Sequence, residues 1–271
     1  MSEFSPMTVD LEKIVNDRAG EGKIPKFVIN WAKRFIHQDY INGFLKQGYT
    51  GVDFCERCME YLDVTINVEG MEHLDGFPED ARFTFVSNHP LGGIDGIALG
   101  MVFGRRFDGR IKYLVNDFLM NVKGIAPMCV PINVGGAQSR DLPRLIDEAF
   151  ASDNHMIMFP AGLCSRRIDG RIQDREWGKA FINKSVKTGR YVVPVHFIGE
   201  NSKRFYRIAT LCKKLKLKFN FAMVCLPDEM YRGRHGSYTV KIGKPVPHTD
   251  FDSSRTPYGW AQAVRSEVYN L

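Results

Sequence analysis

Short apolar runs alternate with segments of helical periodicity along residues 82–269. Runs of about four to eight apolar or β-branched residues predict strands, and a period of about 3.6 residues predicts helices. The predicted strands are Arg82–Ser87, Ile111–Val115, Met128–Ile132, His155–Phe159, Tyr191–Ile198 and Gly236–Ile242. The predicted helices are Ile94–Gly104, Asp141–Phe150, Trp177–Lys187 and Pro257–Tyr269. Because the two types alternate, we expect an α/β fold in which a mostly parallel sheet is flanked by helices.

The first 75 residues form a mostly helical lead-in, and residues 76–271 form one α/β domain without a linker rich in Pro, Gly or Ser. Residues 24–45 of the lead-in predict a basic amphipathic helix. Its aromatic and apolar positions are Phe27, Val28, Trp31, Phe35 and Tyr40, with Lys26, Lys33 and Arg34 between them. Such a helix either lies in a lipid headgroup layer or packs on the domain core, and the pattern fits both. The lead-in is therefore the candidate membrane-associating segment.

Composition narrows the class of protein. The 271 residues are 44% hydrophobic and 25% charged, as in ordinary soluble domains. No apolar run reaches the roughly 18 residues that cross a bilayer, and Met1–Phe4 lacks the basic start of a signal peptide. Cys55 and Cys58 form an isolated C-x-x-C without the second ligand pair that zinc usually has. We therefore expect a cytoplasmic protein without a bound metal.

The net charge of +6 favours an anionic partner. The basic residues are scattered and no nucleic-acid-binding motif accompanies them, so nucleic acid is not the expected partner. A second basic stretch, Cys212–Phe219, alternates apolar and cationic residues and suits either an anionic leaflet or a solvated edge. Together with the lead-in, it suggests a peripheral protein on the inner face of the cell membrane.

A histidine and a carboxylate flank a glycine turn directly after the first predicted strand of the domain. Pro90 stops strand pairing, and Gly92 with Gly93 permits a tight turn, so a hydrogen bond between His89 and Asp95 is geometrically feasible. A carboxylate in that position fixes the imidazole tautomer and leaves the other ring nitrogen free to accept a proton. This arrangement predicts a general base. The alternative is that His89 merely ends a strand and Asp95 caps a helix.

A second polar loop follows the strand that contains Met158. Loops at the carboxyl ends of parallel strands form ligand sites in α/β sheets, so this loop is expected to face His89. Pro160 and Gly162 shape it, while Ser165, Arg166 and Arg167 offer donors for a phosphate or carboxylate. The other interpretation is an ordinary basic surface loop. No G-x-S-x-G elbow surrounds a serine in either loop, which argues against a serine hydrolase.

These segments together resemble a known family. Asn88-His89 with Asp95, then Phe159-Pro160-x-Gly162, then Val193-Pro194-Val195 have the order and spacing of glycerolipid acyltransferases, typified by bacterial lysophosphatidic acid acyltransferases. The resemblance covers roughly residues 80–200. The Asn-His-Pro-Leu-Gly-Gly signature is similar to that of a hemolysin-like subgroup, which includes N-acyltransferases of ornithine- and glycine-lipid synthesis.

The resemblance implies an acyltransferase of membrane lipid synthesis in which His89 deprotonates the acceptor hydroxyl and Asp95 orients His89. It implies no covalent acyl-enzyme, no metal and no cofactor. An acyl carrier protein or coenzyme A thioester is the implied co-substrate, and a lyso-lipid is the implied acceptor. The candidate substrate-binding residues are Asn88, Pro90, Gly92, Phe159, Pro160, Ala161, Gly162, Ser165, Arg166 and Arg167.

The sequence departs from the family pattern at three points. Five residues rather than four separate His89 from Asp95, Ala161 replaces the usual glutamate, and the block at 128–133 contains no arginine for an acceptor phosphate. Arg140, Arg166 and Arg167 are candidate replacements. These departures favour a lyso-aminolipid over lysophosphatidic acid as the acceptor.

Two other functions fit the same features. An N-acyltransferase that makes a mono-acylated amino acid lipid would use the same base, because His89 can deprotonate an ammonium or a hydroxyl. A non-catalytic lipid-binding protein on this scaffold would keep the basic amphipathic helix. A binding protein has no need for His89 and Asp95 together, so the enzyme is favoured.

Overall fold

A computed structural model describes residues 8–115, 122–131, 142–215 and 221–271. The strands in these ranges are β1 (Thr65–Glu69), β2 (Phe83–Ser87), β3 (Ile111–Val115), β4 (Cys129–Pro131), β5 (His155–Met158), β6 (Arg166–Ile168), β7 (Arg171–Gln173), β8 (Tyr191–Ile198) and β9 (Ser237–Ile242). The helices are α1 (Leu11–Ala19), α2 (Lys26–Phe35), α3 (Gln38–Leu45), α4 (Gly51–Tyr61), α5 (Ile94–Arg106), α6 (Leu142–Ala151), α7 (Ala180–Thr188), α8 (Lys203–Lys214), α9 (Phe221–Val224), α10 (Leu226–Arg232) and α11 (Pro257–Val268).

The central sheet has seven strands in the order β1-β9-β8-β2-β5-β3-β4. Its neighbouring strands are parallel except for the antiparallel pair β8 and β9. Helices cover the sheet, and β2 is buried along its whole length. The predicted α/β fold with a mostly parallel sheet is therefore confirmed. None of the helices in the described ranges is both long and apolar enough to span a bilayer.

Several predicted elements are found with shifted ends. The helix predicted to begin at Trp177 begins at Ala180, and Trp177 is buried ahead of it. Asp141 and Ile132, at the ends of two other predicted elements, lie outside the described residues. β1 was not predicted, and it pairs with β9 although it lies in the lead-in. The division at residue 75 stays a prediction.

The prediction of one helix over residues 24–45 is wrong. The segment forms α2 and α3, separated at His37, whose backbone adopts a left-handed conformation with φ of 54° that a continuous helix excludes. α2 buries Ile29 and packs Phe35 against a small apolar cluster, but it exposes Phe27 and Trp31, which face outward.

The second basic stretch is also only partly as expected. Cys212–Lys214 form the last residues of α8 rather than an edge of the sheet, and Leu215 follows as an exposed residue. Residues 216–219 of that stretch lie outside the described residues. The helix packs through Phe205, Tyr206 and Ala209 onto a small apolar cluster that Phe35 of α2 also contacts.

Candidate functional site

The two loops named from the sequence meet at the carboxyl ends of three neighbouring parallel strands. β2 lies between β5 and β8, so the loops after Ser87 and Met158 leave the same edge of the sheet. The buried Asn88 side chain joins two of these ends, since its amide nitrogen donates to the Phe197 carbonyl at 2.9 Å and its oxygen accepts from Phe197 N at 2.7 Å. These contacts fix the start of the segment between β2 and α5, residues 88–93, which is called the histidine loop below. Substrate binding by Asn88 stays a prediction.

His89 and Asp95 form the hydrogen bond that the turn makes feasible. The imidazole Nδ1 lies 2.9 Å from Asp95 Oδ2. The carboxylate also accepts backbone N–H groups from Leu91 at 2.9 Å, Gly92 at 3.2 Å and Gly96 at 2.9 Å, so it is held from several directions. Nε2 of His89 has no hydrogen-bond partner among the described residues, and the side chain is 19% exposed. The imidazole is therefore oriented on one side and open on the other.

The charges of the pair stabilise one another. Burial works against ionisation of Asp95, but His89 and the loop amides outweigh it and hold the pKa of the carboxyl below its usual value. Burial alone would lower the pKa of His89, but the Asp95 carboxylate outweighs it and raises the pKa. Arg166 acts in the opposite direction on the imidazole. The site therefore favours the imidazolium that forms when a base takes up a proton.

Gly92 provides the turn that brings the two residues together. Its φ of +76° lies in the left-handed region, and a Cβ there would lie 2.3 Å from Cys164 Sγ. The histidine loop and the second loop are thus in direct packing contact. Burial raises the pKa of the Cys164 thiol to about 12, which disfavours the thiolate that covalent catalysis would require.

The second loop, residues 159–167, contacts His89 through both its side chains and its backbone. The Phe159 ring stacks on the imidazole with centroids 4.0 Å apart, and Ser165 N donates to the His89 carbonyl at 2.7 Å. The Ser165 hydroxyl is buried and donates to Asp174 Oδ1 at 2.6 Å. The expectation that the loop faces His89 is confirmed, although the Ser165 hydroxyl is occupied by a protein partner.

Arg166 is the cation that the loop places beside the histidine. Its Nη1 donates to the carbonyls of Cys164 at 2.7 Å and Ser165 at 3.1 Å, and its guanidinium lies over the Phe205 ring at 5.4 Å. Both of these carbonyl contacts use Nη1, the guanidinium also lies within hydrogen-bonding reach of the Cys164 thiol, and no carboxylate among the described residues forms an ion pair with Arg166. Arg167, the next residue of β6, is exposed. Arg166 is therefore a cation without a carboxylate partner in the described part of the chain, and its Nε and Nη2 groups make no hydrogen bond to a backbone carbonyl there.

The remaining candidates shape the loops. Pro90 is buried and its carbonyl accepts from Asn201 Nδ2 at 3.1 Å, while the Pro160 carbonyl accepts from Gly178 N at 3.0 Å. Gly162 is exposed with φ of +68°, and its N–H closes a turn onto the Phe159 carbonyl. Ala161 packs in the core beside Trp177. Substrate contacts by these residues stay predictions.

Sequence reasoning missed Asp174, which lies directly after β7. Its buried carboxylate accepts from Ser165 Oγ, from His89 N at 3.3 Å and from Trp177 Nε1 at 2.9 Å. The run Gln173-Asp174-Arg175-Glu176 is typical of a solvated surface and does not by itself indicate a buried carboxylate. The tryptophan three residues later was the available signal, because a buried indole N–H requires an acceptor.

The other sequence candidates lie apart from this site. Arg140 and Asn133 lie outside the described residues. Cys55 and Cys58 are buried in α4 against the core, and burial raises the pKa of Cys58 to about 12. Within the described ranges, no group of three or more His, Cys, Asp or Glu side chains is placed to hold a metal ion.

Known proteins that resemble this chain are acyltransferases. A lyso-glycine lipid O-acyltransferase of Phocaeicola vulgatus is 52% identical over 275 residues, covering 100% of this chain and 98% of the relative. One of Bacteroides thetaiotaomicron has the same identity and covers 100% of both chains. The crystal structure of the 1-acyl-sn-glycerophosphate acyltransferase PlsC from Thermotoga maritima shares the fold, with a TM-score of 0.51 and 19% identity over 95% of this chain and 87% of that one. The model of a family described as Acyltransferase matches residues 14–271, so the chain belongs to that family and is an acyltransferase.

Proposed function

We propose that this protein transfers a fatty acyl chain from a thioester to the hydroxyl of a lyso-glycine lipid. The observation that carries the proposal is the His89–Asp95 pair, in which Nδ1 is occupied at 2.9 Å and Nε2 is open. The identity of 52% with two lyso-glycine lipid O-acyltransferases supports this acceptor over lysophosphatidic acid. It also favours O-acylation over the N-acylation that the loop motif alone allows.

The reaction needs one base and one attacking oxygen. Nε2 of His89 takes the proton of the acceptor hydroxyl as the oxygen attacks the thioester carbonyl. The tetrahedral intermediate then collapses to the ester, and the departing thiolate takes the proton back from the imidazolium. Asp95 keeps the tautomer and orientation of the ring throughout. The protein ends the cycle unchanged, so this reaction requires neither a metal nor a cofactor beyond the acyl donor.

Arg166 is the proposed ligand of the acceptor headgroup. When the amino group of glycine is acylated, its carboxylate remains free and negatively charged at neutral pH. The Nε and Nη2 donors of Arg166 suit a planar carboxylate, because a guanidinium presents two parallel N–H groups. Stacking on Phe205 holds the guanidinium in place. In this proposal, Arg166 takes the place of the glutamate and the arginine that the family pattern has for a glycerol phosphate.

A product assay tests the function directly. Purified protein is incubated with a labelled long-chain acyl carrier protein or acyl-coenzyme A and with three acceptors: a mono-acylated glycine lipid, lysophosphatidic acid and free glycine. We expect a diacylated glycine lipid, identified by mass spectrometry. Diacylated phosphatidic acid as the main product would reject the proposed acceptor, and acylated free glycine would favour the N-acyltransferase. Comparing the two donors identifies the thioester that the protein accepts.

We further propose that the protein works at the inner face of the cell membrane, where its acceptor lies. Exposed apolar side chains lie on helices α2 and α9 and around the end of α8, all of which contact the same small cluster. This apolar face consists of Phe27, Val28, Trp31, Leu211, Leu215, Met223 and Val224. Lys213 and Lys214 are exposed beside Leu215 and suit an anionic leaflet. The cluster beneath includes Cys164, which packs against the histidine loop.

Removing aromatic side chains from the apolar face should weaken membrane binding. Phe27 is 75% exposed and Trp31 is 63% exposed, so each is free to enter the interface. We expect the double substitution Phe27→Ser and Trp31→Ser to lower partitioning into anionic vesicles by about a hundredfold. A vesicle flotation assay measures the fraction of protein bound to the vesicles. Tyr258→Ser is the matched control, because Tyr258 is an exposed aromatic residue on α11, outside the apolar face. Equal binding of the double variant and the control would reject this face as the membrane contact.

A further inference from the structure

A second buried carboxylate connects the two loops of the site. Asp174 Oδ1 accepts from Ser165 Oγ at 2.6 Å and from the backbone N–H of His89 at 3.3 Å, while Oδ2 accepts from Trp177 Nε1 at 2.9 Å. The indole and the backbone amide are donors only, so each carboxylate oxygen receives at least one proton from a partner. Burial raises the pKa of Asp174, while these donors and the nearby His89 act in the opposite direction and favour the ionised carboxylate.

The C-terminal helix supports Asp174 from the other side. The Asp174 backbone N–H donates to the Tyr269 hydroxyl at 2.7 Å, and Arg265 Nη2 donates to the Asp174 carbonyl at 2.5 Å. The residue is fully buried. Its side chain therefore has little conformational freedom, and it holds the histidine loop and the second loop in one position relative to each other.

The charges that face His89 come from three segments. Asp95 at the start of α5 and Asp174 after β7 favour the charged imidazole, while Arg166 of β6 disfavours it. Phe159 covers the ring with an apolar face. Removal of Asp174 would leave the imidazolium with one carboxylate against one guanidinium. The pKa of His89 depends on this balance.

We propose that Asp174 is a positioning residue for acyl transfer: its carboxylate holds the histidine loop against the second loop and adds negative charge that stabilises the protonated His89. It acts through His89 and the loops rather than on the substrate. The proposal rests on the proposed function, since it assumes that His89 takes up a proton during the reaction. Its two parts are separable, because one concerns geometry and the other concerns charge.

Substitution Asp174→Asn tests the charge. It keeps the shape of the side chain and removes one negative charge, so the imidazolium becomes less stable and the pKa of His89 falls. We expect the acid limb of the kcat/KM pH profile to move down by about one pH unit. We also expect kcat on the plateau to fall about tenfold, because the loops lose a shared anchor. NMR titration of the His89 Cε1–H, assigned with a His89→Ala variant, measures the same shift without turnover.

Tyr269→Phe is the matched control. It removes a hydrogen-bond partner of Asp174 from the same network but leaves the carboxylate charged, so the melting temperature falls and the acid limb of the pH profile stays in place.

An unshifted His89 titration in folded Asp174→Asn would overturn the charge role. If Asp174→Asn does not fold, Ser165→Ala tests the anchor: a lower kcat with an unshifted limb supports positioning, and an unchanged kcat overturns it. Absence of acyl transfer in the unsubstituted protein would reject the proposed function instead, while the NMR titration still tests the charge.

Discussion

Replacement of His89 by alanine is expected to lower kcat for acyl transfer by about a hundred- to ten-thousandfold. The substitution removes Nε2, the nitrogen that is open beside an oriented ring, so the acceptor hydroxyl would have to lose its proton to water. Asp95 would keep its three backbone N–H donors, and the loop should retain its path. Initial rates with the preferred donor and acceptor measure the loss, and the melting temperature checks folding.

His235 is the matched control for this substitution. Like His89, it has a carboxylate beside Nδ1, since Asp63 Oδ2 lies 2.8 Å away. The His235 imidazole is exposed, however, and lies outside the histidine loop and the second loop. We therefore expect His235→Ala to retain full activity, since the pair at the surface has no access to the proposed substrate. Activity of folded His89→Ala close to that of His235→Ala would contradict the role of His89 as base.

Substitution Arg166→Gln is expected to raise KM for the mono-acylated glycine lipid by about ten- to a hundredfold. The change removes the charge and the parallel donors that would hold the glycine carboxylate. Arg166→Lys keeps the charge without the planar fork and should give an intermediate value. Steady-state kinetics with the glycine lipid and with its neutral methyl ester measure the effect. The ester should be a poor acceptor for the unsubstituted protein and insensitive to either substitution.

Arg171 provides the control for charge in the same hairpin. It is exposed on β7, and its replacement by Gln changes the net charge by the same amount. We expect KM to be unchanged in Arg171→Gln. A loss in Arg166→Gln that is equal for the acid and for its ester would contradict carboxylate recognition and would point to a general disturbance of the loop.

The parts of this protein that could be predicted from sequence are those whose decisive contacts join residues close together along the chain. β2, the glycine turn and the start of α5 form one continuous segment, so the His89–Asp95 contact followed from residues six positions apart. β1 was missed because its alternating burial is weak: its side chains are mostly exposed, and only pairing with β9 defines it. Long-range pairing is invisible to a local pattern.

Asp174 illustrates a second limit. Its partners lie at positions 89, 165 and 269 as well as at 177, so burial of this carboxylate depends on the packing of the whole domain. The break between α2 and α3 is a third limit. His37 adopts the left-handed conformation there, and nothing in the surrounding helical pattern of the sequence indicates it. In each case tertiary contacts outweigh local preference.

The hairpin β6–β7 is separate from the central sheet and pairs only with itself among the described strands. Its length and sequence can therefore change without displacing a core strand, whereas an insertion between His89 and Asp95 would separate the base from its carboxylate. In the proposed function, the headgroup ligand Arg166 lies in this hairpin, whereas the base and its carboxylate lie between β2 and α5. With these roles, a change of acceptor can begin in one small hairpin, as long as Ser165 and Asp174 at its base still hold the histidine loop.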